Sequence, residues 1–126
     1  MNNDGSKKGD EMNELEVLRD KLRTFAADRD WDQFHSPKNI SMALAVEASE
    51  LLEHFQWLTE AQSHKLLPEK REEVAQEIAD VLLYLVRIAD KLNINLVDAA
   101  NKKLTLNAKK YPAEKSRGNN KKYTEL

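Results

Sequence analysis

Cysteine is absent from the 126 residues, and glycine and proline number only three each. Without thiols there are no disulfides, thiolate nucleophiles or zinc-thiolate sites. So little glycine and proline argues against Gly-rich phosphate loops and against turn-dense β folds. No apolar run approaches the ~18 residues of a membrane span, and the polar start MNNDGSKKGDE is not a signal peptide. Charge of one sign is lacking too: 20 basic and 22 acidic residues leave a net charge of -2. That balance speaks against a chain held to nucleic acid by bulk positive charge. What is present, 40% hydrophobic and 33% charged residues, fits one small soluble helical domain. A cytoplasmic, reducing setting is expected, with no membrane or nucleic-acid partner. A single chain of this size buries a modest core, so a homo-oligomer would be a natural source of further burial.

Residues 1–12 are polar and are expected to form a disordered leader. A first helix opens at Asn13, where Asn13-x-x-Glu16 has the form of a capping box, and carries Leu15, Leu18, Leu22, Phe25 and Ala26 to about Arg29. Ser36-Pro37 supplies a cap and a first-turn proline for a second helix reaching about Leu58. A polar connection from Thr59 to Leu67 follows. Pro68 opens a third helix with Val74, Ile78, Val81, Leu82, Leu85, Ile88 and Leu92. Asn95 caps a fourth, with Leu96, Ala99, Ala100, Leu104 and Ala108 on its core face, and Pro112 stops it. The domain is therefore expected over 13–112 with a polar tail over 113–126, and the default architecture is an all-α four-helix bundle.

The informative residues are acids in apolar surroundings. Glu47 and Glu50 lie three apart within Ala43-Leu44-Ala45-Val46-Glu47-Ala48-Ser49-Glu50-Leu51-Leu52, so they share a helix face. Glu77 and Asp80 repeat the device within Glu77-Ile78-Ala79-Asp80-Val81-Leu82. If the two helices face each other, four carboxylates converge. Two unit charges about 5 Å apart repel by roughly 3 kcal/mol at an effective dielectric near 20, so such a cluster calls for a cation. An all-oxygen ligand set suits Mg²⁺ first and Mn²⁺ second, and Mg²⁺ commonly takes further oxygens from a substrate's phosphates. Acids such as Glu69, Glu72 and Glu73, by contrast, read as solvated surface.

Aromatic and basic side chains extend these faces. Beyond Glu50 lie His54 and Trp57, and four residues past Asp80 comes Tyr84, with Arg87 three further on. Trp57 and Tyr84 suit either core packing or stacking on a nucleobase, and His54 reads as a polar neighbour rather than a ligand. Lys103, Asn107 and Lys110 form a stripe that suits either phosphate oxygens or plain solvent. A di-iron carboxylate bundle is disfavoured, because it wants Glu-x-x-His motifs that are missing here. A non-enzymatic helical interaction module, its acids paired with Lys and Arg across a subunit interface, remains the alternative from another class.

Taken together, these residues resemble the all-α nucleoside triphosphate pyrophosphohydrolases of the MazG type, most closely their dCTP pyrophosphatase branch. Besides the two acid pairs, the resemblance is carried by Phe25-Ala26-Ala27-Asp28-Arg29-Asp30-Trp31-Asp32-Gln33-Phe34-His35, Phe55-Gln56-Trp57 and Asp80-Val81-Leu82-Leu83-Tyr84-Leu85-Val86. Lys103-x-x-x-Asn107, Lys110-Tyr111-Pro112, Ser116-Arg117-Gly118 and Lys122-Tyr123-Thr124 extend it, so it runs from about Asn13 to Glu125. It implies Mg²⁺ on Glu47, Glu50, Glu77 and Asp80. For metal-assisted hydrolysis on that site, Glu47 or Glu50 is expected to orient or deprotonate the attacking water, and nothing in the sequence selects between them. The base and sugar are then expected near Trp31, His35, Trp57 and Tyr84. Lys103, Asn107 and Lys110 match phosphate-side positions, although the branch often has Arg where Lys110 stands. It further implies cleavage between the α and β phosphates of dCTP, a modified dCTP or another dNTP, in a dimer or a dimer of dimers.

Overall fold

The computed structural model describes residues 11–126; positions 1–10 of the expected leader lie outside the described residues. Among the described residues the chain is helical without strands, and no helix is long and apolar enough to cross a membrane. It divides into two compact units, one ending at Asn93 and the other spanning Ile94–Leu126.

In the first unit, helix α1 (Glu14–Asp28) begins as its sequence dictates. The Asn13 side chain accepts from the Glu16 N–H at 2.8 Å, and Glu16 returns the bond to the Asn13 N–H at 3.0 Å. Its far end is closed by a turn that only the chain's geometry reveals. Asp30 adopts a left-handed conformation (φ 55°), letting the Trp31 N–H reach the Ala26 carbonyl at 2.9 Å and the Asp30 N–H reach Ala27 at 3.1 Å. This is a Schellman closure, in which the residue after the turn packs back on the last helical turn. Here Trp31 meets the Phe25 ring edge-on, with centroids 5.8 Å apart. A 3-10 turn over Asp32–Phe34 then leads to α2 (Pro37–Glu53), capped by Ser36.

Helix α2 stops five residues short of the expected Leu58. The N–H groups of His54 and Phe55 bond to Leu51 and Leu52, three residues back, so the chain tightens out of the α-helix before the aromatic stretch. The connection expected to be irregular holds a short helix, α3 (Glu60–Ser63), with a capping box between Thr59 and Gln62. Helix α4 (Pro68–Lys91) packs along α2 and also against α1.

The core of this unit is small. Among the described residues Ala26, Ile40, Val74, Val86 and Ala89 are its buried apolar members. The apolar faces expected to be core are partly outside: Val46 and Leu52 on α2, and Ile78, Leu82 and Leu85 on α4, are exposed. The α4 trio recurs at helical spacing, so the exposure forms a stripe rather than scattered points.

The second unit contains α5 (Leu96–Lys110), whose cap Asn95 accepts from the Asp98 N–H at 3.0 Å. Leu104, expected on a core face, is exposed. The tail is not featureless: α6 (Ala113–Ser116) and a 3-10 turn over Tyr123–Glu125 follow Pro112. Tyr123 packs edge-on against Tyr111 at 6.1 Å between centroids.

Candidate active site

The α2–α4 pairing brings the expected acids together. Glu47, Glu77 and Asp80 each offer a carboxylate oxygen lying within 4.8 Å of the others. Glu47 and Glu77 are half-buried and Asp80 is exposed. One oxygen of Glu47 and one of Glu77, the Oε2 atom in each, is sealed from solvent with no hydrogen-bond partner among the described residues. Glu50 is half-buried one turn along α2; it lies outside this group of three but close enough to act on Glu47.

The electrostatics follow from that crowding. Burial, then the adjoining Glu77 and Glu50 carboxylates, then the charge of Asp80 push the Glu47 carboxyl up to about 7. A sealed, unpartnered carboxylate oxygen is costly unless something supplies positive charge. Among the described residues no Lys or Arg forms an ion pair with Glu47, Glu50, Glu77 or Asp80; the cations pair with Glu16, Asp20, Asp32, Glu73 and Asp90 instead. The donor set is all oxygen and short of counter-charge, which fits a hard divalent cation.

Beside the acids lies a cavity of about 230 Å³. Its apolar wall comes from Leu22, Phe25, Trp31 and Tyr84, and its polar groups are Glu47, Asp80, His35 and Arg87. Pockets for drug-sized ligands run from roughly 300 Å³ upward, so this one suits a single ring system better than a whole nucleotide. Phe25 is held as a wall from two sides, by Trp31 at its edge and by the Arg29 guanidinium 3.7 Å above its ring.

Of the expected base-side residues, Trp31, His35 and Tyr84 therefore line one cavity with Glu47 and Asp80. Trp57 does not: it is 86% exposed. Lys103, Asn107 and Lys110 belong to the second unit, where the Lys110 ammonium sits 4.9 Å from the centre of the Tyr123 ring. His54, expected as a polar neighbour, has its Nδ1 4.0 Å from Glu73.

Sequence reasoning placed Arg87 on the face of Tyr84 without giving it a role; it is 5% exposed. Its Nε–H donates to His35 Nδ1 at 3.1 Å, its Nη2 donates to Asp32, and its Nη1 lies 3.6 Å from Asp90. Lys91 also donates to Asp32, at 2.6 Å. Burial, followed by the charges of Arg87 and Lys91, lowers the His35 pKa, against the opposing pull of Asp32. The signal for Arg87 was its place one turn beyond Tyr84; Phe25 and Asp32 stood in the motif around Trp31 without being singled out.

Helices without strands among the described residues, with an acid cluster short of counter-charge beside an aromatic cavity, define a class of metal-dependent helical nucleotide hydrolases. The model of the MazG-like family matches residues 42–126, and the chain belongs to that family. It is 41% identical over 114 residues to dCTP pyrophosphatase 1 of Homo sapiens, covering 89% of this chain and 67% of that protein. Against dCTP pyrophosphatase 1 of Mus musculus it is 42% identical with the same coverage. Its fold is similar to the crystal structure of a pyrophosphatase from Archaeoglobus fulgidus, with a TM-score of 0.76, 39% identity, and coverage of 81% of this chain and 95% of that one.

Proposed function

We infer that the chain is a nucleotide pyrophosphohydrolase, and propose that it hydrolyses a deoxynucleoside triphosphate, dCTP or a base-modified dCTP first, to the monophosphate and pyrophosphate. The observation carrying this reading is the pair of sealed, uncompensated oxygens on Glu47 and Glu77 beside an aromatic cavity. The names of its relatives supply the substrate class.

In this reading Glu47, Glu50, Glu77 and Asp80 hold Mg²⁺, or Mn²⁺ in its place. When bound, such an ion offsets the charge of the triphosphate oxygens as the phosphorus is attacked. Glu47 or Glu50 orients the attacking water or takes its proton, and burial beside the other acids pushes the Glu47 carboxyl up to about 7. Trp31 and Tyr84 wall the base, with Trp57 as a further stacking surface, and His35 hydrogen-bonds to base or sugar. On α5, Lys103, Asn107 and Lys110 are the candidates for contacts to phosphate oxygens. The task is removal of altered nucleotides or control of a nucleotide pool.

The exposed stripe of Ile78, Leu82 and Leu85 and the small core favour a homo-oligomer, a dimer or a dimer of dimers. The interaction-module alternative needs the four acids to be neutralised by Lys or Arg across a subunit interface, since within the described residues none of them has such a pair; a melting temperature that Mg²⁺ with dCTP leaves unchanged would favour it. The test is a panel of dNTPs and NTPs with Mg²⁺, with pyrophosphate and orthophosphate measured separately. Pyrophosphate release with dCTP among the preferred substrates is expected; orthophosphate release, or no turnover of any nucleotide, overturns the reading.

A further inference from the structure

Arg87 is almost fully buried, yet it spends its donors on groups outside the acid cluster. Two carboxylates flank it, Asp32 and Asp90, and each has a second cation: Lys91 on Asp32 and Arg23 on Asp90. Neither acid needs Arg87 for neutralisation. The contact that belongs to Arg87 alone is the bond from its Nε–H to His35 Nδ1.

That bond has a chemical consequence. A guanidinium stays protonated and has no acceptor, so His35 Nδ1 must present its lone pair. The neutral ring then carries its proton on Nε2, and the doubly protonated ring cannot keep the contact. Among the described residues Nε2 takes no hydrogen bond and is not a sealed atom. The ring lines the cavity together with Trp31 and Tyr84. A fixed donor beside aromatic walls matches a nucleobase edge with a carbonyl oxygen or a bare ring nitrogen, both of which cytosine offers.

We propose that Arg87 is the positioning residue that locks His35 as a hydrogen-bond donor through Nε2, aimed at an acceptor atom of the base of the bound pyrimidine nucleotide. The assignment of the acceptor rests on the pyrophosphohydrolase reading; the assignment of the tautomer does not. Arg87 thereby sets base recognition while staying out of the hydrolysis itself.

Long-range ¹H–¹⁵N spectra of the imidazoles separate the two. The chain has three histidines, and an H35A variant identifies the His35 signals. Near pH 7.5, wild-type His35 should show an unprotonated Nδ1 and a protonated Nε2, and R87M should show a mixture of tautomers. A protonated Nδ1 in the wild type, or an unchanged pattern in R87M, overturns the proposal. Because Asp32 and Asp90 keep Lys91 and Arg23, R87M retains paired acids and should fold. With dCTP and Mg²⁺, R87M should raise KM about tenfold, the cost of one misaligned hydrogen bond, with kcat within about threefold. In an H35A background the same change should move KM by less than about twofold, since a residue acting through His35 has nothing left to position. Additive effects overturn the proposal. A wild type that turns over no nucleotide removes the pyrophosphohydrolase reading, and the ¹⁵N pattern then decides the role of Arg87 alone.

Discussion

Glu47 and Glu77 meet across the α2–α4 contact, each with an Oε2 atom shut off from water and without a partner. Helices packed by small and aliphatic side chains do not ordinarily bring two acids to such a place, because each buried charge left alone costs several kcal/mol. The arrangement is stable only if a proton or a cation intervenes, and at neutral pH a divalent ion is the better occupant.

Glu77→Gln should therefore have opposite effects on activity and on metal-free stability. The amide keeps the shape, removes one charge from the cluster and weakens the cation site. Turnover of dCTP should fall at least ~100-fold, because the cation site loses one of its carboxylate ligands. The melting temperature in EDTA should stay level or rise. A variant that hydrolyses dNTPs at the parent rate would be incompatible with the carboxylate site.

Thermal stability should also register the ion directly. A ligand binding only the native state adds about 2.7 kcal/mol at a hundredfold excess over its Kd. Melting temperature is expected to rise on adding Mg²⁺ with dCTP and to return to its starting value with EDTA. Equal melting curves in both conditions would favour the interaction module.

Trp57 projects into solvent, so truncating it removes little packing from the chain itself. Trp57→Ala should leave the melting temperature nearly unchanged and raise KM for dCTP. An unchanged KM across all nucleotides would take Trp57 out of base binding.

Acid should loosen the network behind the cavity. The Arg23 hydrogen bond, opposed by burial and aided by the charges of Arg23, Arg87 and Arg19, holds the Asp90 carboxyl below its ordinary value of 3.8. The folded chain then binds fewer protons than the unfolded one, so stability increases with pH in this range. The Asp90 contribution is fully present above about pH 4 and is lost as pH falls through the lowered folded value. In denaturant titrations between pH 5 and 2, Asp90→Asn should flatten that acid limb; an identical slope would show that the Asp90 pairing contributes nothing.

The stripe on α4 gives a prediction about assembly. Leu82→Arg replaces a half-exposed apolar group with a charge and should cost the isolated chain little. If the proposed homo-oligomer uses this stripe, light scattering should show a multiple of the 14.5 kDa chain mass for the parent and a mass near 14.5 kDa for the variant. An unchanged mass would move the interface elsewhere.

Local signals were the legible ones. Asn13 with Glu16, Ser36 with Pro37, and Asn95 define helix starts within three or four residues, and all three appear where expected. The Thr59–Gln62 box was equally local, but four helical residues are too few to show a period. The acids were readable because charge inside an apolar helix is conspicuous on the sequence alone. Arg87 was not, since its meaning comes from partners 52 and 55 positions away. Trp31 reaches the cavity through the left-handed turn at Asp30, and an aspartate announces such a turn less clearly than a glycine would.

The claim on which everything else depends is occupancy of the acid cluster by a divalent cation. Titrating the protein with Mn²⁺ in the presence of dCMP, and following free Mn²⁺ by electron paramagnetic resonance, measures it without any turnover. Saturable loss of the free-ion signal is expected in the wild type, with a much weaker loss in Glu47→Gln and Glu77→Gln. Equal binding by wild type and both variants, or none by the wild type, would contradict that occupancy.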